Sequence, residues 1–255
     1  MLFSANLGFL WTELSLPQAI RAAGAARFDA VECHWPFEVP AAEVVAALQD
    51  TGLPMLGINT RRGEVAAGEN GLAAVPARKD AARAAIDEAI AYAVAIGARY
   101  IHVMAGVASG KTAHQTFVQN LRYASASAAA VDKVILIEPL NPFDAPGYFL
   151  RTTDQAAELI AEVGADNLKL MFDCYHVQRV EGKLASRLRA LFPLIGHIQF
   201  AGVPDRGPPD EGEVDYADIF SLLDELGYRA PLGAEYRPNG PTEASLGWMA
   251  KLRGA

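Results

Sequence analysis

Apolar residues in this chain fall into two alternating kinds of segment. Short, almost wholly apolar runs are followed by longer Ala-rich stretches in which apolar positions recur every three or four residues. A strand buried on both faces needs apolar residues throughout, whereas a helix lying on a sheet needs them only along one stripe. The alternation therefore predicts βα units that feed a parallel sheet. Strands are predicted at Leu2–Leu7, Ala30–Cys33, Pro54–Ile58, Tyr100–Met104, Val134–Ile137, Leu168–Phe172, Ile195–Phe200 and Leu232–Ala234. Helices are predicted at Leu16–Ala23, Ala41–Asp50, Pro76–Ile96, Thr112–Ala130, Thr153–Val163, Lys183–Leu191, Asp215–Leu226 and Thr242–Lys251. Gly24, Gly97, Gly164 and Gly227 stand where a left-handed residue would end a helix.

Eight such pairs in 255 residues match one closed (β/α)8 TIM barrel, a single domain over residues 1–255. An open doubly wound sheet fits less well, because the first βα turn, Leu7-Gly8-Phe9, has no GxGxxG cradle for a dinucleotide. Arg61–Asn70, rich in Gly and charge, and Val203–Asp215, rich in Pro, read as long βα loops, not linkers.

Composition narrows the function. With 51% apolar and 20% charged residues the chain can build a large core, which excludes disorder. Lys plus Arg number 22 against 30 for Asp plus Glu, a formal charge of −8 that disfavours nucleic acid and anionic membranes as partners. Cys33 and Cys174 form no CxxC pair, so neither a zinc knuckle nor a redox motif is drawn from them. Met1–Trp11 lacks the basic start of a secretion signal, and no stretch reaches the ~20 apolar residues of a membrane span. A cytoplasmic chain with reduced thiols is expected.

In a barrel the chemistry sits where strands end at their carboxyl side. The fifth predicted strand runs into Glu138, the sixth into Asp173, and the eighth into Glu235; the seventh carries His197 and Gln199, two residues apart on one face. Taken singly, each acid could simply cap the next helix. Acids and an amide at four successive strands instead converge near the barrel mouth, where like charges need a cation. Three carboxylates and an amide carbonyl suit Mg²⁺ or Mn²⁺ better than Zn²⁺. His197, one step deeper, is expected to be a buried supporting residue, not a ligand.

Several stretches are also familiar. Phe28-Asp29-Ala30-Val31-Glu32, Ala66-Ala67-Gly68-Glu69, Glu138-Pro139-Leu140-Asn141-Pro142 with Pro146-Gly147-Tyr148-Phe149-Leu150, Phe172-Asp173-Cys174-Tyr175-His176 with Gln178-Arg179, Gly196-His197-Ile198-Gln199, Pro204-Asp205-Arg206 and Glu235-Tyr236-Arg237-Pro238 resemble the hydroxypyruvate isomerase family of xylose isomerase-like barrels. The resemblance spans nearly the whole chain. It implies that Glu138, Asp173, Gln199 and Glu235 hold the metal and that Glu138 and Glu235 are proton donor and acceptor. It also implies a small hydroxy-oxo acid or sugar as substrate, conversion of hydroxypyruvate to tartronate semialdehyde through an enediolate, no organic cofactor, and an oligomer. His176 and Arg206 are the candidates for binding an anionic substrate.

Two features depart from the family: His102 stands within the fourth strand, and the loop Gly57–Gly63 reads GINTRRG where relatives are more apolar. They leave open a longer 2-oxo or 3-oxo acid of the 2-oxo-tetronate type, with Arg61 or Arg62 at its distal end, or a ketose 3-epimerase. His34, Trp35 and Phe37 either roof the pocket or simply pack. From other classes, a multinuclear zinc endonuclease of the same superfamily uses many His ligands and a basic DNA-facing surface, against which five histidines and a charge of −8 argue, and a non-catalytic sugar-binding barrel would show a broken pair of glutamates, whereas both stand in place.

Overall fold

A computed structural model describes residues 1–253. Eight strands form one parallel sheet: β1 (Phe3–Asn6), β2 (Ala30–Glu32), β3 (Gly57–Asn59), β4 (Tyr100–His102), β5 (Val134–Ile137), β6 (Leu168–Asp173), β7 (Ile195–Phe200) and β8 (Leu232–Ala234). Their order is β2-β1-β8-β7-β6-β5-β4-β3, so the first and last strands of the chain are neighbours. A parallel bridge between Val31 and Met55, with Leu56 N donating to Val31 O at 2.7 Å, joins β2 to the entry of β3 and closes the barrel. The expected fold is present.

The surrounding helices are α1 (Leu16–Ala25), α2 (Ala41–Thr51), α3 (Lys79–Ile96), α4 (Gly110–Ala129), α5 (Thr153–Val163), α6 (Cys174–Val180), α7 (Leu184–Leu191), α8 (Tyr216–Glu225) and α9 (Gly247–Leu252). The helix expected from Thr242 is split into a 3₁₀ turn, Thr242–Ser245, and α9. Short α6 was not anticipated; it begins at once after β6, with Asp173 Oδ1 accepting from Tyr175 N at 2.8 Å. Gly97 and Gly164 cap their helices in the left-handed region, whereas Gly24 lies inside α1. A Cβ there would stand 2.9 Å from Thr51 Cγ2, so Gly24 serves the close approach of α1 to α2 and does not terminate a helix. None of the described helices is long and apolar enough to cross a membrane.

Alternation along each strand separates two cores. One face packs against the helices, where Phe3, Phe200, Phe220 and Trp248 meet edge to face or tilted, with Phe3 and Trp248 centroids 5.0 Å apart. The other face fills the barrel with Ala30, Leu56, Tyr100, Leu136 and Met171. That small apolar layer is the floor on which the polar groups stand.

Candidate active site

Period two carries the barrel interior directly from floor to site. Two residues beyond Ala30, Tyr100, Leu136 and Met171 come Glu32, His102, Glu138 and Asp173, all buried. Asp173 is in register with Gln199 on β7, and Gln199 with Gly233 on β8, two residues before Glu235. Residues scattered over the chain thus share one layer at the carboxyl ends of the strands.

Glu235 is held on both oxygens. Its Oε1 accepts from Asn6 Nδ2 at 2.8 Å and lies 3.0 Å from His34 Nε2, while its Oε2 meets the Arg206 guanidinium. Burial alone would raise this carboxyl, but Arg206 and His34 hold it down at about 2. Gly8 makes room for the contact: a Cβ at Gly8 would fall 2.2 Å from His34 Nδ1. Beneath Glu235, Glu32 Oε1 accepts from Asn6 at 3.0 Å and from Gln199 Nε2 at 2.7 Å, and its Oε2 lies 2.7 Å from His197 Nε2. His197 is therefore a buried partner of Glu32, as expected.

Glu138 is different. Its Oε1 is buried without a hydrogen-bond partner, and the nearest polar neighbours of its carboxylate are distant: His102 Nδ1 at 3.5 Å and His176 Nε2 at 3.8 Å. Burial first, then the charges of Glu235 and Asp173, push its carboxyl well above the usual range. Asp173 is raised to about 7 by burial, against the pull of Arg206, whose guanidinium lies 3.4 Å from Oδ2. His176 Nδ1 accepts from Asn141 N at 3.1 Å, which places the proton of the neutral ring on Nε2, facing Asp173 and Glu138. Burial and Arg206 lower its pKa to about 3, so the ring is neutral. Arg206 itself is wedged between Phe9 and Tyr175, 4.6 and 4.9 Å from their ring centroids.

The residues fit a hard divalent cation. When ionised, Glu138, Asp173 and Glu235 face one guanidinium, leaving net negative charge in a buried place. Glu138 Oε1 and Gln199 Oε1 are buried oxygens without hydrogen-bond partners, which is how unligated metal-facing oxygens would stand. Glu138, Asp173 and His176 bring one N or O atom each within 4.8 Å of the others, and with its proton on Nε2 His176 stands beside the two carboxylates as a donor. The sequence presents His176 only as a substrate contact, and its position three residues after Asp173 on the first turn of α6 explains its place beside the carboxylates.

A cavity of about 320 Å³ opens over these groups and is lined by Glu138, Glu235, His176 and Arg206, with His34, Trp35 and Arg62 towards its rim. His34 and Trp35 thus face the pocket, while Phe37 packs on Tyr92, ring centroids 5.6 Å apart. Arg61 points away from it, bound to Glu38 at 2.9 Å and Glu88 at 2.6 Å. Asn6 and Glu32 were not singled out as site residues. Each ends a strand on the interior face, so the period-two argument used for the later strands would have found them.

The closed barrel with acids at the ends of β5, β6 and β8 defines the class. Residues 17–252 match the family described as xylose isomerase-like TIM barrel. The chain is 45% identical to the 2-oxo-tetronate isomerase of Cupriavidus necator, covering 99% of this chain and 98% of that protein. It is 38% identical to the hydroxypyruvate isomerase of Escherichia coli, with 98% and 99% covered. A crystal structure named AP endonuclease, family 2, from Brucella melitensis superposes with a TM-score of 0.95 at 36% identity, 98% of each chain being covered. The chain belongs to the hydroxypyruvate isomerase family of xylose isomerase-like TIM barrels.

Proposed function

We propose that this chain is an isomerase of a short hydroxy-oxo acid, hydroxypyruvate or a four-carbon 2-oxo-tetronate, and that Glu138 and Glu235 carry the proton. The observation behind this reading is the unequal bonding of two glutamates in one cavity: Glu235 is stabilised on both oxygens, whereas Glu138 keeps one oxygen without a partner. Carboxyls held so differently suit one to accept a proton and the other to give one. Glu235 takes a proton from the hydroxyl-bearing carbon next to the carbonyl, an enediolate forms, Glu138 gives a proton to the former carbonyl carbon, and the hydroxyl proton passes to the former carbonyl oxygen as the new carbonyl forms. With hydroxypyruvate the hydroxymethyl carbon becomes an aldehyde and the keto carbon an alcohol, giving tartronate semialdehyde.

Glu138, Asp173, Gln199 and Glu235 would hold a divalent cation, Mg²⁺ or Mn²⁺. When bound, it supplies stabilisation of the developing oxyanion. His176, with its proton on Nε2, donates to a substrate oxygen, and Arg206 contributes positive charge beside it. The relative with 45% identity acts, by its name, on 2-oxo-tetronate, which supports a four-carbon acid as well as hydroxypyruvate. The endonuclease name of the Brucella protein finds little support here: only His176 of the five histidines joins two carboxylates in a cluster, and the charge is −8.

The test is deuterium uptake at the hydroxyl-bearing carbon next to the carbonyl when the protein is incubated in D₂O with hydroxypyruvate, 2-oxo-tetronate or a ketose and added Mg²⁺ or Mn²⁺. Exchange followed by the isomeric product is expected. No exchange with either acid overturns the reading. Exchange with inversion at one carbon of a ketose, and no isomerisation, replaces it with a 3-epimerase.

A further inference from the structure

Three arginines reach the cavity, and only one combines rigid support with an open charged end. Arg206 is bound to Glu235 and Asp173, and Arg237 is exposed, with its guanidinium carbon 5.9 Å from the Phe9 ring centroid. Arg62 is braced on three sides. Its guanidinium carbon lies 4.8 Å over the Trp35 ring, its Nε donates to Asn70 Oδ1 at 2.9 Å, and its backbone carbonyl accepts from Gly71 N at 2.8 Å. Trp35 is fixed in turn, its Nε1 donating to Thr60 O at 3.1 Å. Among the described residues no carboxylate pairs with Arg62, and its two terminal nitrogens make no hydrogen bond to the protein. A guanidinium stacked on an indole and anchored through Nε presents its remaining fork in one orientation, the geometry that takes a carboxylate by two parallel hydrogen bonds.

We infer that Arg62 forms a carboxylate-binding subsite at the cavity rim, with Trp35 and Asn70 as its supports, and that it selects hydroxy-oxo acids over uncharged sugars of equal length. This deepens the isomerase reading and rests on it only for the identity of the substrate. The neighbouring Arg61, with two carboxylates of its own, has no part in the subsite.

Binding can be measured without turnover, using calorimetry with the unreactive acids glycerate and threonate against uncharged glycerol and threitol. The parent is expected to prefer the acids, and Arg62→Ala to lose about 10- to 100-fold in acid affinity while binding the uncharged polyols as before. Arg61→Ala and Arg237→Ala are expected to keep the parent's preference. Circular dichroism of Arg62→Ala checks that the fold persists. The inference is overturned if the parent shows no preference for the acids, if Arg62→Ala retains it, or if Arg237→Ala is the variant that abolishes it. Deuterium exchange by the parent separates the two ideas. Loss of acid preference in Arg62→Ala with no exchange by the parent leaves the subsite standing and the isomerase reading fallen; exchange with unchanged acid binding in Arg62→Ala does the reverse.

Discussion

Gln199 Nε2 donates to Glu32 Oε1 at 2.7 Å, and this one bond orients the Gln199 amide so that its carbonyl oxygen is left buried and without a partner. Glu32 is itself held by Asn6 on β1 and by His197, two residues before Gln199 on β7, so its orientation is fixed from both sides. Replacing the carboxylate with an amide makes the choice between the two ends of Gln199 ambiguous. Glu32→Gln should therefore lower Mn²⁺ affinity by about 10- to 100-fold, measured by titration at fixed pH, while the fold is retained. An unchanged affinity would remove Glu32 from the metal-supporting role.

Glu235→Gln should reduce α-proton exchange, and Glu138→Gln formation of the isomeric product, each by about 10²- to 10⁴-fold, with little change in circular dichroism. Both carboxyls are buried, yet glutamine fills the same volume. Near-parental exchange in Glu235→Gln, or near-parental isomerisation in Glu138→Gln, removes that residue from the proton-transfer pair.

Added Mn²⁺ or Mg²⁺ should raise the unfolding temperature of the parent, because a cation that binds only the folded protein stabilises it, by about 2.7 kcal/mol at a hundredfold excess over its Kd. Chelation should reverse the gain. A double variant, Glu138→Gln with Asp173→Asn, should show almost none; an equal gain in parent and variant would place the cation elsewhere.

Gly8→Ala should act through His34. The added Cβ would meet the imidazole at 2.2 Å, so the ring must leave its place beside Glu235 Oε1. Exchange activity is expected to fall towards that of His34→Ala, and combining the two changes should cost little more than either alone. Additive losses would show that Gly8 works by another route.

A pH effect is expected outside the cavity lining. Trp11 Nε1 donates to Glu243 Oε1 at 2.6 Å, and this bond is the main cause holding the Glu243 carboxyl below its ordinary 4.5. A carboxyl depressed in the folded state contributes stability that is present above the unfolded value and is lost as pH falls through the folded one. Urea unfolding between pH 6 and 3 should therefore show a steeper loss for the parent than for Glu243→Gln. Parallel curves would contradict the assignment.

Much of this molecule is legible along the chain because strand burial and helix amphipathicity are local periodicities. Glu138 and Asp173 could be located as strand-end acids because the apolar runs before them end abruptly. His197 could be separated from Gln199 by a two-residue step on one strand. The short α6 escaped notice because seven residues directly after a strand carry too few turns to show a helical period. Gly24 misled because a glycine at a helix end and a glycine at a helix crossing look alike until the neighbouring helix is in place.

By itself the sequence determined the eight βα units, the likeness to a family, and the acids at the carboxyl ends of three strands. Tertiary structure alone decided which of these groups touch. Asn6 bonds to Glu235 across 229 residues, Arg206 contacts both Glu235 and Asp173 while Glu138 keeps one oxygen without a partner, and Arg62 turns to the cavity while Arg61 turns to Glu38 and Glu88. Those contacts depend on strand register and barrel closure, which are set by packing among all eight strands and leave no mark in any one segment.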